Sequence, residues 1–247
     1  MLILLPPSEG KTAPAEGRPL ELDSLAFAAE LGARRAALLD ALEALAKRPR
    51  TRAIEQLGIS KGQAGEIAVN AELRAAPAAP AAAVYSGVLY DHLDLAGLST
   101  RAQGRVLIAS ALWGVVRPGD RIPYYRFSAK ARLPKIGPVA AWWREALVAA
   151  LPDEPGDLVV DMRSGAYAAA WKPKQATLLA VRAFSESGGK RKPISHMAKA
   201  VRGDVARALL KARKLPKSAE DAAAVAAGAG FEVELDGSNL DVIVQPG

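Results

Sequence analysis

A chain of 247 residues, half of them hydrophobic, is long enough to bury a substantial core. It has no cysteine and only two histidines, His92 and His196. That excludes disulfides, thiolate zinc centres, iron–sulfur clusters, cysteine nucleophiles and a histidine-rich metal site. No carboxylate cluster stands in for them, so neither a metal nor a cofactor is expected. The net charge of +7 and a pI of about 9.7 favour a polyanionic partner. No apolar run approaches the roughly 20 residues of a membrane-spanning helix. Met1–Leu5 is too short for a signal-peptide core, so a cytoplasmic protein with no membrane partner is expected.

Met1–Leu5 is an apolar run expected as a strand, and Pro6-Pro7-Ser8-Glu9-Gly10-Lys11-Thr12 follows it. The Gly-Lys-Thr resembles the end of a phosphate-binding P-loop. However, the position five before Gly10 is Leu5, not Gly, and Pro14, Gly17 and Pro19 forbid the helix that should follow. Lys11 beside Ser8 and Thr12 can still form an anion pocket, or lie in a plain surface loop. Leu25–Leu45 reads as a helix capped by Asp23 or Ser24, with Leu31, Leu38, Leu42 and Leu45 near helical spacing and Pro49 as its stop.

Residues 48–74 read as a short helix, a turn at Leu57-Gly58-Ile59, and a second helix capped by Ser60 with Gln63 as its capping-box partner. This is the pattern of a helix-hairpin-helix, in which Gly58, Lys61 and Gly62 would lie near a DNA phosphate. Ser60 stands where such motifs usually carry a second Gly, and a plain helical hairpin fits the residues equally well. Ala75–Ala83 reads as an Ala/Pro surface linker. Val84-Tyr85-Ser86-Gly87 reads as the start of a strand or a short turn. Tyr90–Asp94 reads as a helical turn whose ligand types are too few for a metal site.

Val106–Ala109 is expected as a buried strand. Beyond it, Trp113-Gly114, Arg117-Pro118-Gly119-Asp120 and Pro123 break any helix. The expectation is irregular chain lining a cleft at a strand end, carrying Arg117, Asp120, Arg121, Tyr124, Tyr125 and Arg126. A structural loop with an Arg117–Asp120 ion pair is the plainer alternative. Lys130–Lys135 reads as a basic loop, and Pro138 opens a helix that carries Trp142 and Trp143 into the core. Leu158–Met162 is a strand running into Arg163-Ser164-Gly165-Ala166-Tyr167 and Trp171-Lys172-Pro173, and Thr177–Arg182 is another.

Gly188–Pro193 reads as a loop feeding a helix capped by Ser195. On that helix Met197, Ala198, Val201, Val205, Ala208, Leu209 and Ala212 share one side. Lys199, Arg202, Arg207, Lys211, Arg213 and Lys214 spread over the other, interrupted by Leu210. Between Arg182 and Lys217 eleven Lys/Arg face two acidic residues, so this stretch carries +9 and the rest of the chain −2. Such a face would hold phosphates without regard to sequence and in a salt-sensitive way. A solvated helix face explains the same residues. Ser218 with Asp221 caps an alanine-rich helix, and the last two strands form a hairpin across Asp236-Gly237-Ser238-Asn239.

Several pieces resemble, in the same order, the motifs of the YaaA family of peroxide stress resistance proteins. They are M-L-I-L-L-P-P-S-E-G-K-T, Tyr85-Ser86-Gly87, S-A-L-W-G-V-V-R-P followed by Tyr125-Arg126, V-D-M-R-S-G-A-Y ending in Trp171-Lys172-Pro173, and I-S-H-M-A-K-A-V-R-G with Arg207 beyond. The resemblance covers nearly the whole chain. It places Asp161, Ser164, Tyr167, Lys172, Lys199 and Arg202 on motif positions. It departs at Ala166, where the family commonly has an acidic residue, so a catalytic role for that carboxylate is not carried over.

The expected architecture is α/β, or α+β: one domain over residues 1–247 with a mixed sheet, surrounding helices and the inserted helix-hairpin-helix-like segment. The strand-end loops are expected to converge on one basic cleft with Lys11, Arg117, Tyr125, Arg126, Ser164, Tyr167, Lys172, Lys199 and Arg202. The resemblance implies a DNA-binding protein of the oxidative stress response that limits damage from free intracellular iron. Gly58, Lys61, Gly62, Arg207, Lys211 and Lys214 are the candidate contacts, without sequence specificity. The alternative is an enzyme for a small anionic substrate such as a nucleotide, with Asp161 as a base and Lys11 or Lys172 as an electrostatic stabiliser.

Overall fold

Short apolar runs in the chain are sheathed on both faces when strands pair in parallel, and that is how the middle of the sheet is built. The computed structural model describes residues 1–187, 190–194 and 197–244. In chain order it contains β1 (Leu2–Leu5), α1 (Ala28–Ala46), α2 (Arg50–Leu57), α3 (Glu66–Ala71), β2 (Ala78–Pro80), α4 (Ala81–Val84), α5 (Val88–Leu93) and α6 (Thr100–Gln103). Then come β3 (Val106–Ser110), β4 (Gly114–Val116), β5 (Arg121–Pro123), β6 (Arg132–Leu133), β7 (Gly137–Pro138), α7 (Val139–Ala150), β8 (Leu158–Asp161) and α8 (Gly165–Ala168). The chain continues with β9 (Thr177–Ser187), β10 (Lys190–Pro193), α9 (Met197–Lys211), α10 (Ala219–Gly228), β11 (Glu232–Asp236) and β12 (Asn239–Val244).

The main sheet runs β11-β12-β9-β8-β1-β3-β4, with β10 added to β9. The pairs β12–β9, β9–β8, β8–β1 and β1–β3 are parallel, and β4, β10 and β11 are antiparallel. This is the mixed α/β sheet with surrounding helices that the sequence leads one to expect. Leu5 pairs with Ile108 and Leu4 with Asp161, so the ends of β1, β3 and β8 lie along one edge. From β1 the chain goes to β3 on one side and returns to β8 on the other. That reversal opens a crevice beyond the end of β1, the usual ligand position in open α/β sheets.

Helix α1 is held by an apolar stripe at Leu31, Leu38, Leu42 and Leu45, and Arg35 lies on the same stripe with no exposed surface. Its guanidinium donates to the carbonyl oxygens of Trp113 (3.0 Å), Val115 (2.9 Å) and Ala26 (2.8 Å). Burial lowers its pKa to about 10, opposed by Asp120 and Glu30. One α1 side chain thereby satisfies the carbonyls of the tight β3–β4 turn.

Several local expectations are corrected. Asp23 and Ser24 lie in a 3-10 turn, and the cap of α1 is Phe27 in the left-handed region without a side-chain cap. Ala75–Ala83 is no surface linker: Ala78–Pro80 pairs with β5, and Ala78, Ala81 and Val84 are fully buried because alanine and valine fit between closely packed backbones. Gly114–Val116 is a strand, not loop, and Asp120 accepts from the backbone N–H of Arg117 (2.9 Å) and Ala26 (3.0 Å). Lys190–Pro193 is a strand on β9, and the Ser195 cap lies outside the described residues. On α9 Met197 is 52% exposed, whereas Gly203, Ala206 and Leu210 are buried, since the helix packs against both α5 and β9.

Gly203 allows that packing. A Cβ there would press on the Leu89 carbonyl oxygen and lie 2.8 Å from His92 Cβ, both on α5. Gly203→Ala is expected to destabilise the fold by about 1–3 kcal/mol, read as a lower denaturant midpoint at unchanged slope.

Candidate functional site: a basic cavity at the end of β1

The loop after β1 is fixed from two sides. Thr12 N donates to Val84 O (2.8 Å) and Lys11 bridges to Tyr85, so Lys11 lies alongside the end of α4. Ser8 Oγ accepts from Ser86 N (3.2 Å), and Tyr90 OH donates to Pro6 O (2.7 Å). Below this loop is a buried hydroxyl chain. Tyr125 OH is 2.7 Å from Tyr85 OH and 2.8 Å from Ser110 Oγ at the end of β3. The Lys11 ammonium donates to Ser8 O (2.7 Å) and lies 4.5 Å from the Tyr125 ring centre and 5.6 Å from that of Tyr85. Cation–π contact of this kind favours the charged amine. Burial works against it and dominates, followed by the Arg126 charge, while Glu9 and Glu66 oppose the shift. The Lys11 pKa is lowered to about 8.

Arg126 is set by Asn70 at the end of α3. The buried Asn70 amide donates to Arg126 O (2.6 Å) and accepts from Arg126 N (2.9 Å). The Arg126 guanidinium reaches Glu9 O (3.1 Å) and lies 3.8 Å from its carboxylate. Tyr124 OH donates to Glu66 at 2.8 Å, a second tie to α3.

Together these elements wall a cavity of about 590 Å³. Its lining includes Lys11, Arg126, Lys130, Lys199 and Arg202, with Glu9 as the one carboxylate among the described residues and hydroxyls from Ser8, Ser86, Ser128, Ser164 and Tyr167. Arg202, on the first turns of α9, donates to Val181 O (3.1 Å), and burial lowers its pKa against the pull of Asp161. Burial likewise raises the Tyr167 phenol, which therefore stays protonated at neutral pH. The turn Leu57-Gly58-Ile59 lies on the same wall. Gly58 closes α2 at φ +64° and rests against Lys130. The second helix of that segment is a 3-10 turn at Lys61–Gln63 followed by the short α3, with Gln63 Oε1 accepting from Ser60 N at 3.1 Å.

Of the nine residues expected in one cleft, the cavity brings together Lys11, Arg126, Ser164, Tyr167, Lys199 and Arg202, and Tyr125 lies beneath it. Two lie elsewhere. Arg117 follows β4, which runs antiparallel to β3 and carries the chain away from the cavity edge, and its guanidinium lies over the Phe27 ring. Lys172 is exposed beyond α8 and is not in the cavity lining. Asp161 is no free base. Both its oxygens are held by Arg163 at 2.8–2.9 Å, with the carboxylate 6% exposed, and Arg163 also donates to Trp171 O at 2.8 Å.

Among the DNA-contact candidates, Lys61, Gly62, Lys211 and Lys214 are exposed. Arg207 instead donates to Leu93 O (2.8 Å) and Asp94 Oδ2 (3.0 Å), closing the C-terminal end of α5. Sequence reasoning missed Arg163, Lys130 and the Asn70 clamp. The Asp-x-Arg spacing in V-D-M-R was the available signal for the first; nothing local marks the other two.

Residues 1–234 match the family described as "Peroxide stress protein YaaA". A Streptomyces coelicolor protein named UPF0246 protein SCO2297 is 43% identical over 259 residues, covering 99% of this chain and 98% of its own. UPF0246 protein Cgl1995/cg2186 of Corynebacterium glutamicum is 40% identical over 247 residues, covering 98% of each chain. An uncharacterized protein of Campylobacter jejuni, Cj0984, is 29% identical over 208 residues, 82% of each.

Two outcomes are expected. Side-chain NMR of lysine-labelled protein should show one lysine titrating near pH 8, absent in Lys11→Arg and shifted upward in Arg126→Met, because a neighbouring positive charge is removed. Asp161→Ala should cost about 3–5 kcal/mol in denaturant unfolding, since it leaves the buried Arg163 cation without its partner.

Proposed function

The chain belongs to the YaaA family of peroxide stress proteins, and from that premise we propose that it binds DNA through the basic cavity and its rim, limiting peroxide damage linked to free intracellular iron. The observation that carries this reading is the cavity wall: among the described residues, five cationic side chains against the single carboxylate of Glu9, with Gly58 and Ile59 beside them. Exposed Lys61 and Gly62 follow directly on that rim. A strand passing there would meet Lys130, Lys199 and Arg202 in the cavity and Lys61 outside it. These contacts are to phosphate, so they would carry little sequence information.

A second reading has its own support. The cavity holds about 590 Å³, and Arg126, Lys199 and Arg202 line it beside Lys11, which suits a small anionic ligand, such as a nucleotide, that enters fully. No helix of the described residues is long and apolar enough to cross a membrane.

Fluorescence anisotropy with a duplex and a branched junction at two salt concentrations tests the first reading. Affinity should fall steeply with salt. Lys61→Glu should weaken binding to all sequences alike and lower the salt slope by about one. Binding absent at both salt concentrations would overturn DNA as the partner. A thermal shift with nucleotides alone would then favour the second reading.

A further inference from the structure

A lysine that serves only to hold an anion gains from surroundings that keep it charged. Lys11 has the opposite setting. Its amine is largely withdrawn from water and lies near the Arg126 charge, with Glu9 and Glu66 opposing its effect and the Tyr85 and Tyr125 rings beneath. Desolvation and a second cation are the two devices that turn a lysine into a nucleophile at neutral pH. Lys11 nevertheless lines the cavity, and its amine is held by the hydrogen bond to Ser8 O, which a neutral amine can still donate. The remaining cations of the wall, Lys130, Lys199 and Arg202, stay available for an anionic group on the same ligand.

We propose that Lys11 forms an imine with the aldehyde of a phosphate-bearing sugar bound in this cavity. The lone pair of the neutral amine adds to the carbonyl carbon. The carbonyl oxygen then leaves as water with the two amine hydrogens, and a carbon–nitrogen double bond remains. Nothing is oxidised or reduced. Tyr167 and the hydroxyls of Ser86, Ser128 and Ser164 are the neutral donors in the lining that can protonate the departing oxygen. Two sources offer this chemistry: the ring-opened sugar of an abasic site in DNA, and a free sugar phosphate. The abasic source rests on the proposed DNA reading; the free sugar does not.

The test uses the full chain with sodium cyanoborohydride, which reduces an imine to a stable amine. One arm contains a duplex with a single abasic site and the other glyceraldehyde 3-phosphate. The expected result is an adduct mapped by peptide mass spectrometry to Lys11 in at least one arm. Its yield should rise with pH through about 8, and the adduct should be lost in Lys11→Arg. Wild-type mapping alone decides the matter if that variant misfolds. No adduct with either probe, or adducts only on other lysines, would overturn the proposal. Anisotropy with intact duplex runs in parallel. Duplex binding without a Lys11 adduct removes this inference alone, and a Lys11 adduct from the free sugar without duplex binding removes the DNA reading alone.

Discussion

The hydroxyl of Tyr125 is where three distant stretches of the chain become one site. It joins Ser110 at the end of β3 to Tyr85 after α4, and its ring carries the Lys11 ammonium from the loop after β1. The three hydroxyls are buried and each has its partner, which is the condition under which a buried network holds a unique geometry. Ser110 Oγ also accepts from the backbone N–H of Leu112 and Trp113, so the same hydroxyl that supports Tyr125 shapes the β3–β4 turn. Arg35 holds that turn from the far side through its carbonyls. The cavity floor and the sheet edge are therefore one hydrogen-bonded unit.

The positive charge of the molecule divides into two kinds. Three of the eleven cations between Arg182 and Lys217 are answered by acids of the fold. Arg182 pairs with Asp241 (2.6 Å) and Asp236 (2.9 Å), Arg191 with Glu186 and Glu234 at 2.6 Å, and Arg207 with Asp94. Those acids, apart from Glu186, lie outside the stretch, so a local count overstates the charge it presents. The cations around the cavity face fewer acids, and there the field is focused by the walls. The exposed Lys211 and Lys214 add a looser basic patch on the end of α9 and just beyond it. The proposed DNA partner would be drawn to the cavity rim, with the α9 patch contributing at lower salt.

Much of the architecture was legible in the sequence. The apolar runs at Leu2–Leu5, Val106–Ser110 and Leu158–Asp161 are short, bounded by turn residues and β-rich, and they are the parallel centre of the sheet. The closing hairpin and the helix opened by Pro138 follow equally from local pattern. Where the reading failed, packing overrode local signals. Alanines and prolines at 75–83 look like a linker because they are small and turn-prone, and smallness is what lets that backbone be buried. Arg35 interrupts a leucine stripe and shows in the sequence as a flaw in the pattern; its reason is three carbonyls, two of them about eighty residues away.

By itself the sequence determined the order of the main elements, though not β2, β4 or β10, a class of α/β or α+β, the excess of positive charge, and the residue types that end up around the cavity. These depend on periodicity, turn chemistry and composition, which act over a few residues. Only the tertiary structure decided which charges are answered and which face the cavity. Asp161 and Arg163 close on each other, Arg207 turns to the end of α5, β4 takes Arg117 away, and Lys11 is pressed between aromatic rings and a second cation. The strength of a charge depends on its distance to others and on the water it has lost. Both are set by which strands pair and which helices pack, and no local stretch of chain encodes them.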